Sequence, residues 1–234
     1  YCDSVNFQSD YATDIFLNSG RVFRAGIGYT IPLGCSTPPF IPPRDEGLKK
    51  LFEDEQLVKF VYLAQFHPHK SHMWLLDALK EVLGKNDNVR VVFSGDGSLI
   101  GKVKARVDHL RLSRQVLCPG RIDRAFVPWI LDQADCVLVA SRTETFGHNF
   151  LEPMFFGTPV IGTDVGIGRE IVRDYQTGFL IKSTSKVQLR KAVEFSIRNP
   201  EKLKCYGANA QALVRDAYSW QTVARRYVDL FRSM

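Results

Sequence analysis

The chain has 234 residues, 45% hydrophobic and 24% charged, which suits a soluble globular protein of one or two domains. No run of 18 apolar residues occurs, so no membrane-spanning helix is expected. The formal net charge is +6, but the basic residues are spread along the chain without a dense block or a nucleic-acid-binding motif, and nucleic acid is not an expected partner.

The first 45 residues stand apart. Cys2 to Gly34 reads as strand, short helix and strand (Ile27–Pro32), and a stretch with Pro38, Pro39, Pro42 and Pro43 reads as a linker. From about residue 58 short apolar strands alternate with amphipathic helices. The expected strands are Val58–Ala64, Arg90–Ser94, Gln115–Cys118, Cys136–Ala140, Pro159–Gly162 and Phe179–Ile181. The expected helices between and after them are His72–Leu83, Leu99–Leu112, Ala125–Gln133, Phe150–Phe156, Arg169–Val172 and Lys186–Arg198, followed by Glu201–Ala217 and Ser219–Phe231. The alternation predicts an α/β protein with a doubly wound parallel sheet, which binds ligands at the carboxyl ends of its strands. The five cysteines (Cys2, Cys35, Cys118, Cys136, Cys205) are odd in number and scattered. They read as reduced residues of a cytosolic protein, not as a disulfide framework. A start at Tyr1 without a signal-peptide pattern reads as an excised piece.

The most informative run is SRTETFGHNFLEPMFFGTPV, from Ser141 to Val160, with Glu144 and Glu152 eight apart. Two glutamates at that spacing arise by chance in a chain with 25 acidic residues, so the flanks carry the signal. A buried strand precedes, Gly147 follows the first carboxylate, and a glycine stop and another strand follow the second. Gly147 permits close backbone approach to a ligand. A helix beginning near 149 to 151 offers unpaired amides and a partial positive charge, a ready phosphate site. Pro153 is tolerated in such a helix's first turn, which also places Glu152 there. The simpler alternative makes Glu152 a helix-capping carboxylate and Glu144 a loop charge.

This arrangement resembles the nucleotide-sugar site of retaining glycosyltransferases of the GT-B fold, especially family 4. The resemblance implies a Rossmann-like donor-binding domain, the C-terminal half of such an enzyme. It gives residues 1–45 as the end of an acceptor-binding domain plus hinge, 46–217 as the donor domain, and 218–234 as a helix crossing back. It implies that Lys70, in the run Ala64 to His72, stabilises the departing nucleoside diphosphate. The family's accompanying arginine falls on Gln65 or His67 here, and neither is Arg. His67 could supply charge beside phosphate, while Gln65 offers neutral hydrogen bonds. Loss of that arginine favours an alternative, a binding or interaction module whose catalysis has lapsed.

The resemblance further implies that Glu144 hydrogen-bonds a sugar hydroxyl and stabilises positive charge near the anomeric carbon. Glu152 would accept the ribose hydroxyls, and the amides of Gly147, His148, Asn149 and Phe150 would hold phosphate or orient the sugar. Gly95 and Asp96 match a loop near the nucleotide. Arg121 and Ile122, with Arg124, become base-side candidates. The run Asp164 to Glu170 resembles a glycine-rich loop near the sugar. No cofactor is implied, only a nucleoside diphosphate sugar as substrate. The acceptor (glycan, lipid or small molecule) would bind a part of the enzyme outside this chain. His67, His69 and His72 invite a metal reading, but Pro68 interrupts their spacing and no DxD motif is present, so no metal is expected. A basic cleft for the donor explains the positive charge, with peripheral contact to anionic lipid at a cytoplasmic membrane face as the alternative.

Overall fold

The computed structural model describes residues 5–18, 28–36, 38–183 and 185–233. Cys2 and Ile27, in the amino-terminal elements read from the sequence, lie outside them. The chain opens with β1 (Val5–Phe7), α1 (Asp10–Leu17) and β2 (Gly28–Thr30), and the two strands pair in parallel as a small sheet of their own. Next comes α2 (Glu46–Glu53), a helix that the sequence reading missed. Asp45 caps it by accepting from the Leu48 amide at 2.7 Å, and Leu48 and Phe52, four apart, bury one face.

The main body then alternates: β3 (Val58–Leu63), α3 (His72–Leu83), β4 (Val89–Ser94), α4 (Ile100–His109), β5 (Val116–Gly120), α5 (Val127–Gln133), β6 (Cys136–Val139), α6 (His148–Phe155), β7 (Val160–Thr163), α7 (Gly168–Ile171), β8 (Gly178–Ile181), α8 (Lys186–Arg198), α9 (Pro200–Ala217) and α10 (Trp220–Ser233). Its six strands are all parallel, in the order β5-β4-β3-β6-β7-β8. This is the Rossmann-like doubly wound α/β sheet expected from the alternation. The strands are apolar along their length because helices cover both faces: Phe60, Val61 and Tyr62 of β3 and Val91, Val92 and Phe93 of β4 are all 0% exposed.

Several boundaries differ from the sequence reading by a residue or more, three of them for a local reason. The helix expected over Leu99–Leu112 stops at His109, because Arg111 adopts a left-handed φ of 58° and the Leu112 amide returns to the Val107 carbonyl at 3.0 Å. The helix expected from Ala125 splits into a 3-10 turn, Arg124–Phe126, and α5, which has Pro128 in its first turn. α6 begins at His148, one to three residues earlier than expected, so Glu152 and Pro153 lie in its second turn rather than its first. Gly147, with φ of 96°, makes that early start without a side-chain cap.

The topology places the functional chemistry. The chain runs outward through β3, β4 and β5, then returns to pair β6 with the other edge of β3. The reversal between β3 and β6 opens a crevice at their carboxyl ends.

Candidate functional site

Lys70 follows β3 and Glu144 follows β6, so strand order alone brings residues 74 apart in sequence to one crevice. Lys70 Nζ donates to Glu144 Oε1 at 2.5 Å, and the two side chains are only 16% and 12% exposed. Two further donors reach the same oxygen: Ser141 Oγ at 2.7 Å and Asn149 Nδ2 at 3.3 Å. Neither Ser141 nor the Asn149 side chain was given a role from the sequence. Ser141 stood in the quoted run, three residues before the glutamate, and that spacing was its only available signal.

A second layer fixes the first. The Tyr62 hydroxyl donates to the Lys70 carbonyl at 2.9 Å and lies 3.4 Å from Ser141 Oγ. Thr163 Oγ1 donates to the Ser141 carbonyl at 2.6 Å, and the Arg142 amide donates to the His69 carbonyl at 2.8 Å. Burial drives the Tyr62 phenol well above its ordinary range, so it stays a neutral donor. The loops after β3 and β6 are thereby stitched together by short bonds, largely out of water, where hydrogen bonds hold geometry best. Gly166 completes the packing: a Cβ there would sit 2.9 Å from the Glu144 Cβ.

Glu152 faces a different space. It lines a cavity of about 280 Å³ together with Cys35, Arg124, His148 and Trp220. Burial pushes its carboxyl up, and the Arg124 guanidinium partly offsets that. Burial and Glu152 in turn push the Cys35 thiol up to about 11. Glu152 is therefore a half-buried carboxylate on the wall of a cavity, not a cap on its own helix. The His148 and Asn149 amides occupy the first two positions of α6 and have no intrahelical acceptor. The Phe150 amide, expected as a ligand donor, is instead committed to the Gly147 carbonyl at 3.0 Å. The Phe150 side chain is fully buried.

The remaining candidates line the same edge of the sheet. Gln65 is exposed and His67 half-buried, just after β3. Gly95 follows β4 with a φ of 156°, where a Cβ would collide with the Ala64 carbonyl, and the Phe66 amide donates to the Asp96 carbonyl at 2.6 Å. The Asp96 side chain is exposed and lies 3.9 Å from Arg121. Ile122 is half-buried, its amide 3.2 Å from Ser94 Oγ. Following the strand order, the candidates run from Arg121 and Ile122 through Asp96 and Lys70 to Glu144.

The three histidines do not converge. His67 and His69 stack loosely, ring centroids 6.0 Å apart, while His72 is buried between Tyr62 and Phe66 at 4.7 and 4.2 Å. Burial, reinforced by Lys70, lowers the His72 pKa to about 4. Among the described residues no group of three potential metal ligands occurs. Glu170, expected near the sugar, turns to the amino-terminal segment, accepting from the Asp10 amide at 3.0 Å. Burial and the neighbouring Asp10 raise its pKa. Ser9 Oγ donates to the Thr145 carbonyl at 2.7 Å beside it. No described helix is long and apolar enough to cross a membrane.

Comparison with known proteins agrees with this architecture. The phosphatidyl-myo-inositol mannosyltransferase of Mycobacterium leprae is 28% identical over 172 residues, 71% of this chain and 44% of that protein. The GPI3 subunit of the phosphatidylinositol N-acetylglucosaminyltransferase of Saccharomyces cerevisiae is 24% identical over 204 residues, 87% of this chain and 45% of that protein. The chain thus spans about half the length of these curated relatives. In three dimensions it matches Anabaena Alr3699/HepE, solved in complex with UDP and glucose. The TM-score is 0.86 at 21% identity, covering 100% of this chain and 64% of the other, which shows the shared fold. The profile of the glycosyl transferases group 1 family matches residues 43–213, and the chain belongs to that family.

Proposed function

We propose that this chain is the donor-binding half of a glycosyltransferase that moves a sugar from a nucleoside diphosphate to an acceptor with retention of configuration. The observation that carries the reading is the half-buried Lys70–Glu144 pair at the β3/β6 reversal, beside the free amides of α6. A cation and a helix N-terminus together meet a diphosphate without a metal ion. That HepE is solved with UDP and glucose, and that the curated relatives transfer sugars, supports the same ligand class.

In this reading Lys70 follows the leaving phosphate as its negative charge grows. Glu144 accepts a sugar hydroxyl and stabilises the oxocarbenium-like anomeric carbon. Glu152 accepts the ribose hydroxyls in its cavity, with Arg121, Ile122 and Arg124 towards the base. The acceptor hydroxyl attacks the anomeric carbon from the leaving-group face. The bond from that carbon to the phosphate oxygen breaks, and the acceptor proton passes to the phosphate. The protein supplies no nucleophile. Residues 1–45 belong to the acceptor-binding half and hinge, 46–217 to the donor domain, and 218–234 cross back. The acceptor, whether glycan, lipid or small molecule, binds the other half of the enzyme.

Calorimetric titration with UDP, GDP, ADP and CDP and their sugar conjugates tests the reading. Selective binding of one base by wild type, lost in Glu152→Ala, is expected. A folded chain that binds none of them refutes it. A second reading, a nucleotide-sugar-binding module that no longer transfers, is favoured by Gln65 and His67 where the family carries arginine. Binding without transfer in the full-length enzyme would select it.

A further inference from the structure

Lys70, Ser141 and Asn149 all donate to one oxygen of Glu144, Oε1. Oε2 has no protein donor among the described residues. The carboxylate is therefore oriented, with one oxygen saturated and the other left for a ligand. Lys70 has no second acidic partner among the described residues. A phosphate that arrives at Lys70 meets a cation already held by a half-buried carboxylate, and it brings a second anion beside that carboxylate. At low exposure this repulsion is poorly screened. Ser141 and Asn149 keep Glu144 from swinging away to relieve it.

A sugar on the terminal phosphate changes the balance twice. Its hydroxyls donate to Oε2, which the protein leaves unpaired, and esterification removes negative charge from that phosphate. We propose that the Lys70–Glu144 pair makes the site select the intact nucleoside diphosphate sugar over the free nucleoside diphosphate, so that the product of transfer is held less tightly than the donor. This rests on the donor-site reading above. It adds that Glu144 works against the bare nucleotide, and that Ser141 and Asn149 are positioning residues for that discrimination.

The test is calorimetric titration of the 234-residue chain and its Glu144→Gln variant, with UDP, GDP, ADP and CDP and the sugar conjugate of each. Wild type binds the conjugate of its preferred base more tightly than the free diphosphate. Glu144→Gln, which keeps the shape and removes the charge, binds the free diphosphate about three- to tenfold more tightly, and its preference for the conjugate shrinks. A free diphosphate bound no more tightly by Glu144→Gln than by wild type overturns the proposal and leaves the donor-site reading standing. Absence of binding by wild type overturns both. Should Glu144→Gln fail to fold, Ser141→Ala, which keeps the charge but frees the carboxylate to turn, lowers the wild-type preference. An unchanged ratio in that variant overturns the proposal as well.

Discussion

His72 is a titratable side chain built into the core beside the site. It lies two residues after Lys70, yet its ring stacks on Tyr62 and Phe66 and meets Phe93 edge-on, and neither ring nitrogen has a hydrogen-bond partner. An imidazole there behaves as a small aromatic ring carrying an unsatisfied donor. Its pKa falls from 6.5 to about 4, so the folded state binds fewer protons than the unfolded state between those values. Stability from this site is fully present above about pH 6.5 and is lost as pH falls towards 4, by a total of about 3 kcal/mol. His72→Phe removes both the unsatisfied nitrogens and the titration. It is expected to stabilise the fold by about 1 kcal/mol at pH 7 and to flatten the acid limb of the curve. Urea unfolding at pH 7 and pH 5 checks this, and an unchanged difference between the two pH values in the variant would sink it.

At the scale of elements, the apolar strands and most helices were legible, and the misses fell at helix ends and in one helix beside the proline-rich stretch. α3 and α8 have the bounds their periodicity predicts, and the six strands of the main sheet fall within a residue or two of expectation. α2 was legible but missed: Leu48, Leu51 and Phe52 recur at helical spacing behind the Asp45 cap, directly after a proline-rich stretch read as a linker. α6 began early because a glycine with positive φ, rather than a side-chain cap, starts it. Lys70 and Glu144 were each legible, but their mutual ion pair was not, since it depends on β3 lying beside β6. Nor could local pattern show that Glu170 caps α1 from 160 residues away. That contact has its own consequence. α1 buries none of its residues fully, so Glu170, the Ser9 bond to Thr145 and the Arg169 guanidinium 5.5 Å from the Tyr11 ring are its main anchors on the loops around Glu144. Glu170→Ala should speed hydrogen exchange across Asp10–Leu17 about tenfold, the loss of roughly 1.4 kcal/mol of local protection, while β3 and β4 exchange as before. Equal loss of protection in the sheet would show that Glu170 supports the whole fold instead.

The whole molecule is divided by the feature that makes its site. β3, β4 and β5 with their helices precede the reversal, and β6, β7 and β8 follow it. The two groups meet along β3 and β6, whose register covers two residue pairs, Phe60 with Cys136 and Val61 with Val137, against six pairs between β3 and β4, and where α8 packs on α3 with Arg190 on Glu81 at 2.6 Å. Beyond that short ladder, the loops are joined by Lys70 to Glu144 and by the Arg142 amide to the His69 carbonyl. A ligand seated at the carboxyl ends touches both groups and acts as an added cross-link. Binding to the folded state alone, at a hundred times Kd, stabilises by about 2.7 kcal/mol, which for a chain of this size raises Tm by roughly 5 to 10 °C. The matching sugar conjugate should produce that shift in wild type and little of it in Glu152→Ala. Hydrogen exchange should slow in residues 64–72 and 141–150 together, because neither loop can hold an extended diphosphate sugar alone. Protection confined to one loop would mean that the ligand sits on one half of the sheet, and that the reversal between β3 and β6 is not where this protein binds it.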